Sequence, residues 1–313
     1  MKTVIATLRS PAFRAFFMLA AVAAGVWAVV SNWDEVSAAL QQLDWWIVAG
    51  SLIVSIIFVI LTMLAWRTLL NDSGEPVGAA PARRIFYVSQ VAKYLPGGVW
   101  NFVAAAEMGA DYNISRRRSV TVLLMSMAVS VVTGLALATV AIVFGPSDVA
   151  GHYWWVLLVL PVFIVILYPP VLNKLVDSGL TLLKREKLEQ PFTGKAIGIA
   201  ALYATLSWVV AGFQVWAILT GLGNPARLDT YFLTLGGYAL AWVVGFLVFF
   251  IPAGVGVREV VLGVTLTGLV SSGDIVVVVL LSRILFTIAD LVLGLGASVR
   301  MRRDARRAAN DPS

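Results

Sequence analysis

The chain has 313 residues, of which 60% are hydrophobic and only 13% are charged, with a mean hydropathy of +0.90. A soluble domain carries about a quarter of its residues as charges, so most of this surface faces something other than water. The 23 basic and 17 acidic residues leave a net charge of +6, but the basic ones flank apolar stretches, which indicates a membrane surface and anionic lipid and excludes nucleic acid as partner.

The first apolar stretch, 15–30, follows Lys2, Arg9 and Arg14. It is long for a signal peptide, and no small-residue cleavage site precedes the polar segment 31–35, so a retained span is predicted over 12–31. Five further simple spans are predicted over 45–70, 119–144, 154–172, 196–221 and 275–299. Each approaches the roughly 20 residues that a helix rising about 1.5 Å per residue needs to cross hydrocarbon.

Two regions interrupt this series. The first, 83–112, has an apolar centre broken at Pro96-Gly97-Gly98, and its arms of about 12 residues are too short to cross twice. A re-entrant hairpin fits it, as does a surface amphipathic helix. The second, 229–274, is broken at Pro252-Ala253-Gly254, and its arms of about 22 residues fit either a deep hairpin or two crossings. Non-helical backbone at membrane depth is tolerated only where protein or a polar cavity satisfies its hydrogen bonds. Both breaks therefore point to an internal site. The fold expected is an all-α integral membrane bundle: one transmembrane domain over 1–313 with six clear spans and two Pro-Gly-broken hairpins.

Charge sets the orientation. Twenty of the 23 basic residues fall in five segments: the N-terminus, 67–93, 116–118, 173–195 and 300–307. The intervening loops 31–44, 145–153 and 222–230 hold Asp34, Glu35, Asp44, Asp148 and Asp229 but only Arg227. The positive-inside rule then puts both termini, including the basic tail 300–313, in the cytoplasm of an inner (plasma) membrane protein. The absence of cysteine excludes disulfides and thiolate chemistry, and the lone His152 excludes a two-histidine zinc motif. No metal or cofactor is expected. With no P-loop in the chain, ATP hydrolysis is not expected either.

The breaks also read alike. Leu95-Pro96-Gly97-Gly98-Val99-Trp100 and Ile251-Pro252-Ala253-Gly254-Val255-Gly256 lie 156 residues apart, each behind a span, a loop and an apolar arm. Their hairpin mouths fall on opposite sides. That is the pattern of an inverted repeat, in which interrupted helices meet near the midplane and alternating access follows.

An ionisable residue at bilayer depth costs about 2.5 kcal/mol or more and usually faces a cavity or a partner. Glu107, Arg258, Glu259, Arg283 and Asp290 qualify, and Lys93, three residues before the first break, joins them. Arg258, Arg283 and Lys93 suit a lipid phosphate, arginine through its bidentate fork. Half-helix N-termini after each break add backbone donors. The acids Glu107, Glu259 and Asp290 balance the site or relay protons. The structural alternative pairs Arg258 with Glu259, and Arg283 with Asp290, as glue between helices. Trp33, Trp45, Trp46, Trp154 and Trp155 fall at span ends and read as an aromatic belt.

Three features together resemble a known family, the transmembrane region of lysylphosphatidylglycerol synthases and its stand-alone relatives. They are Lys93-Tyr94-Leu95-Pro96-Gly97-Gly98-Val99-Trp100, the run Ile251-Pro252-Ala253-Gly254-Val255-Gly256-Val257-Arg258-Glu259, and Arg283 early in the last span. The similarity spans roughly residues 10–300. It implies a region that flips an aminoacylated lipid made by an attached soluble domain, with relatives in glycolipid or polyprenyl-phosphate pathways. Only 14 residues follow Val299, so the expectation is the flippase half without an aminoacyl-transfer domain. Asn101 and Glu107 stand on the arm where many relatives carry Asp and Arg. The expected function is movement of an anionic phospholipid, glycolipid or polyprenyl-phosphate-linked lipid between leaflets by a non-enzyme, with membrane lipids and a glycosyltransferase or lipid-synthesis protein as partners. The alternative is a membrane-embedded glycosyl- or lipid-transferase using Asp34-Glu35, or a subunit of one.

Overall fold

A computed structural model describes residues 26–27, 30–31, 33–95, 99–145, 154–182, 188, 190–248 and 254–310, the stretch 300–310 through its backbone alone. Most of the first predicted span, together with Pro96, Gly97, Gly98, Pro252 and Ala253, lies outside the described residues.

The described chain is helical, with no strand among the described residues. In order the helices are α1 (Trp33–Gln42), α2 (Trp45–Asp72), α3 (Ala79–Ala92), α4 (Trp100–Ala110), α5 (Arg116–Phe144), α6 (Leu160–Leu167), α7 (Pro169–Leu182), α8 (Gly194–Gly221), α9 (Leu228–Leu247), α10 (Val257–Leu266) and α11 (Ser272–Asn310), with a 3-10 turn at Trp154–Val159. Helices α2, α5, α8, α9 and the Ser272–Val299 part of α11 are long and apolar enough to cross a bilayer. This is a multi-pass membrane protein. Its long helices start on oxygen caps where the sequence supplies them: Ser115 accepts from the Arg118 N–H before α5, and Thr193 from the Ala196 N–H before α8. Trp45 and Trp46, 61% and 67% exposed at the start of α2, suit the membrane interface. Arg118 donates to the Leu70 and Glu75 carbonyls and the Ser73 hydroxyl, clamping the C-terminal end of α2, where orphan carbonyls favour a cation.

Three expectations change. The segment 154–172 is not one straight span: helix α6 ends at Leu167, and α7 leaves at 77°. Pro169-Pro170 removes two backbone donors and forces Tyr168 out of helical geometry, so the bend sits where the chemistry demands it. The segment 31–44 is not merely a loop, because it contains α1, which buries Val36 and Ala39 and places Glu35 as acceptor of the Gly273 N–H at 2.8 Å, at the start of α11. The second hairpin is asymmetric, with a first arm (α9) of 20 residues and a second (α10) of only 10. The region 83–112 forms two short helices that pack on each other, α3 and α4, with Ala82 and Ile85 fully buried. The region is thus a hairpin of two packed helices and not a single amphipathic helix.

The two halves repeat. Helices α2 and α8 begin 149 residues apart, as do α3 and α9; α4 and α10 begin 157 apart and α5 and α11 begin 156 apart. The packing obeys the same exchange: α2 packs on α8, α3 on α11 as α5 on α9, and α3 on α4 as α9 on α10. The halves run oppositely. Asp72 at the end of α2 accepts from the backbone N–H and hydroxyl of Thr193 at the start of α8, both at 2.7 Å. At the other end of the pair, Gly221 of α8 lies against Ile47 and Leu43 at the start of α2. Helix α5 begins beside the end of α2 through Arg118, and α11 begins beside the end of α8 through Asn224 and Asp274, 3.0 Å apart. An inverted repeat accounts for all of these contacts. Most of the extra residues of the second half fall in α9, which is why that arm alone reaches crossing length.

Candidate functional site

The site forms where the two hairpins meet the last span. After the second break, Gly256 adopts φ +86, a conformation that suits glycine, and starts α10. Three residues on, the Glu259 carboxylate closes on the Gly256 N–H at 2.6 Å, capping the helix. Its other oxygen lies 3.4 Å from Arg283 Nε of α11. Glu259 thus fixes both the entry to α10 and the guanidinium opposite it.

Arg258 reaches the same cavity between two glycines. A methyl group on Gly245 would lie 2.5 Å from Arg258 Cγ, and one on Gly254, at φ +65, 3.0 Å from its Nε. Any larger residue at either place displaces the side chain. The Arg258 guanidinium lies over the Trp242 ring, 5.3 Å from its centroid, while its buried Nε makes no hydrogen bond and no carboxylate pairs with it among the described residues. Cation–π contact offsets part of the cost of burial, and the fork keeps its donors.

The first hairpin brings Lys93 and Tyr94. Asp290, only 4% exposed, accepts from Lys93 Nζ at 2.7 Å and from the Tyr94 hydroxyl at 2.6 Å. Lys93 donates also to Gln90 at 3.0 Å. Lys93, Arg258, Arg283, Glu259 and Asp290 together line a chamber of about 50 Å³, and Lys93, Arg258 and Asp290 line an adjoining one of about 180 Å³ that also holds Asn101 and Gly254. Three cations against two carboxylates leave this centre one positive charge in excess.

The pairing differs from that of the structural alternative. Arg258 and Glu259 are successive helical residues and do not face each other, so Glu259 meets Arg283 and leaves Arg258 to Trp242. Arg283 and Asp290 do share a face of α11, but two turns separate them by about 10 Å, so each reaches a different hairpin. Glu107 is not brought into either chamber. It is exposed on α4 and bound through both oxygens to Arg116, at 2.9 and 2.7 Å. Pro96, Gly97, Gly98 and Pro252 lie outside the described residues. Sequence reasoning missed Tyr94, Gln90, Trp242 and Gly245. Tyr94 stood inside the first motif beside Lys93, but Gly245 carried no signal, since a lone glycine in an apolar helix is ordinary packing until its neighbour is known.

Residues 16–294 match the family described as the lysylphosphatidylglycerol synthase TM region. No curated protein matches the chain. The match ties this membrane protein to lipid.

Proposed function

This chain belongs to the family of lysylphosphatidylglycerol synthase transmembrane regions, and from that premise we propose that it carries an anionic lipid from one leaflet to the other through the cavity between its hairpins. The observation that carries the reading is Arg258, a half-buried residue whose guanidinium lies over Trp242 with no carboxylate partner among the described residues, in a centre with one positive charge in excess. A purely structural cluster would be expected to balance its charges, because an unpaired buried ion is costly. A lipid phosphate supplies the missing anion in the bidentate geometry arginine favours. The inverted repeat supports the transport part of the reading, since its two halves can exchange roles and open the site to either side. Orientation follows the charges, with the end bearing Arg116–Arg118 and the basic tail in the cytoplasm of the inner membrane.

A transferase reading draws less support. Of the acids it would use, Glu35 is occupied with the Gly273 N–H. The test is reconstitution of the chain into liposomes with fluorescent lipids of several head-group classes, scored for leaflet transfer. Transfer of anionic lipid above the protein-free rate is expected; equal rates with and without protein would contradict the proposal.

A further inference from the structure

The two chambers differ in chemistry, and the difference bears on which head group they fit. Both carboxylates line the smaller one, Asp290 reaching the larger as well, and both are engaged: Asp290 by Lys93 and Tyr94, Glu259 by the Gly256 N–H and Arg283. The larger chamber adds no charge of its own. Its further polar residues are Thr62, Gln90, Asn101, Ser126 and Ser130, and aromatic rings, Trp208 and Trp242 among them, wall it.

The two serines are informative. They stand four residues apart on α5 and so share one face of the helix. Hydroxyls in apolar helices commonly donate back to the preceding turn, as Thr133 does to Val129 and Thr139 to Leu135. Ser126, Ser130 and the Asn101 side chain make no such bond among the described residues. Their donors and acceptors are therefore available to whatever fills the chamber. The repeat sharpens the contrast. At offsets of 157 and 156, Asn101 occupies the place of Arg258, and Met127 and Gly134 those of Arg283 and Asp290. At these three positions the first half carries neutral residues where the second carries charges.

We propose that the head group is a phosphodiester bearing an uncharged, hydroxyl-rich unit such as glycerol, inositol or a sugar, and that a cationic aminoacyl head group is disfavoured; this rests on the transport reading above. The phosphate sits at Arg258, which lines both chambers. The hydroxyl-bearing unit sits among Asn101, Ser126 and Ser130, its apolar face against the aromatic wall of the larger chamber. A cationic head group would need an unpaired carboxylate, and neither acid of the centre offers one. Hydroxyls, in contrast, can pair with the Ser126 and Ser130 hydroxyls and the Asn101 amide, half-buried groups that make no side-chain hydrogen bond among the described residues.

The full chain is reconstituted, and leaflet transfer is measured for phosphatidylinositol, phosphatidylglycerol, phosphatidic acid, lysyl-phosphatidylglycerol and phosphatidylcholine. Phosphatidylinositol and phosphatidylglycerol are expected to move at least tenfold faster than the lysylated lipid and phosphatidylcholine. The double variant Ser126→Ala with Ser130→Ala should slow phosphatidylinositol about tenfold more than phosphatidic acid. Lysyl-phosphatidylglycerol moving as fast as phosphatidylglycerol, or a double variant that slows all five lipids equally, would overturn the head-group assignment. If none of the five moves, the transport reading itself fails. Head-group preference is then read from lipid binding in detergent by native mass spectrometry, where equal retention of lysylated and inositol lipids overturns the proposal and preference for inositol upholds it.

Discussion

Asp290→Asn tests whether the buried network of the first hairpin is as tightly coupled as its geometry indicates. The wild-type carboxylate is 4% exposed and accepts two short hydrogen bonds, from Lys93 at 2.7 Å and Tyr94 at 2.6 Å. Removing one member of a buried ion pair costs about 3–5 kcal/mol, chiefly because the other charge is left without a partner. Lys93 is 30% exposed and keeps Gln90, so water and that amide relieve part of the cost. The Tyr94 bond survives but weakens as its acceptor loses charge. A net loss of about 3 kcal/mol follows, the lower end of the range for a fully buried pair. At about 2–4 °C per kcal/mol in large domains, the unfolding midpoint should fall by about 6–12 °C in detergent, followed by intrinsic fluorescence. Adding Lys93→Met removes the orphaned ammonium and should restore all but about 1 kcal/mol, because a pair replaced by neutral groups is nearly isoenergetic. A double variant no more stable than Asp290→Asn alone would refute the coupling, as would a single variant indistinguishable from wild type.

Gly245→Ala places a methyl group 2.5 Å from Arg258 Cγ and 2.9 Å from its Nε, so it should displace the guanidinium from Trp242 and lower lipid transfer at least tenfold while the protein still inserts; wild-type transfer would show that the glycine cradle is irrelevant. Single cysteines introduced into this cysteine-free chain report orientation. Gln41→Cys, at the end of α1 beside the start of α2, should be labelled by an impermeant reagent from outside intact cells, and Ser115→Cys and Ser178→Cys should not. Labelling at Ser115→Cys would reverse the proposed topology.

Much of this architecture could be read from residues, because hydrocarbon leaves few choices. Charged side chains in an apolar span are costly enough that Arg258, Glu259, Arg283 and Asp290 stood out, and the structure gathers them with Lys93 in adjoining chambers. The Pro-Gly breaks marked both hairpins for the same reason: a helix cannot continue through them. What could not be read was tertiary. The ion pairs depend on which hairpin each turn of α11 faces, so the assignment by nearness in sequence put Arg258 with Glu259 and left Arg283 to Asp290. Glu107 had the right residue type and the right arm, yet its place on α4 points it to Arg116 at the surface. The bend at Tyr168 was available in Pro169-Pro170, but a run of apolar residues on either side masked it. Helix α1 was missed because its apolar content is low and its anchor, the Gly273 N–H, lies 238 residues away.

The role of Arg258 is tested most directly by transfer of an anionic phospholipid in liposomes for wild type, Arg258→Lys and Arg258→Gln. Each charge-assisted hydrogen bond is worth about 1.5–3 kcal/mol, and tenfold in an equilibrium is about 1.4 kcal/mol. Loss of the fork and the charge together in Arg258→Gln should therefore reduce transfer at least a hundredfold. Arg258→Lys retains the charge without the planar fork and should keep partial activity. Both variants should remain folded, since no carboxylate is left unpaired by either change. Wild-type transfer by Arg258→Gln would contradict the account and leave Arg283 as the remaining guanidinium at the site.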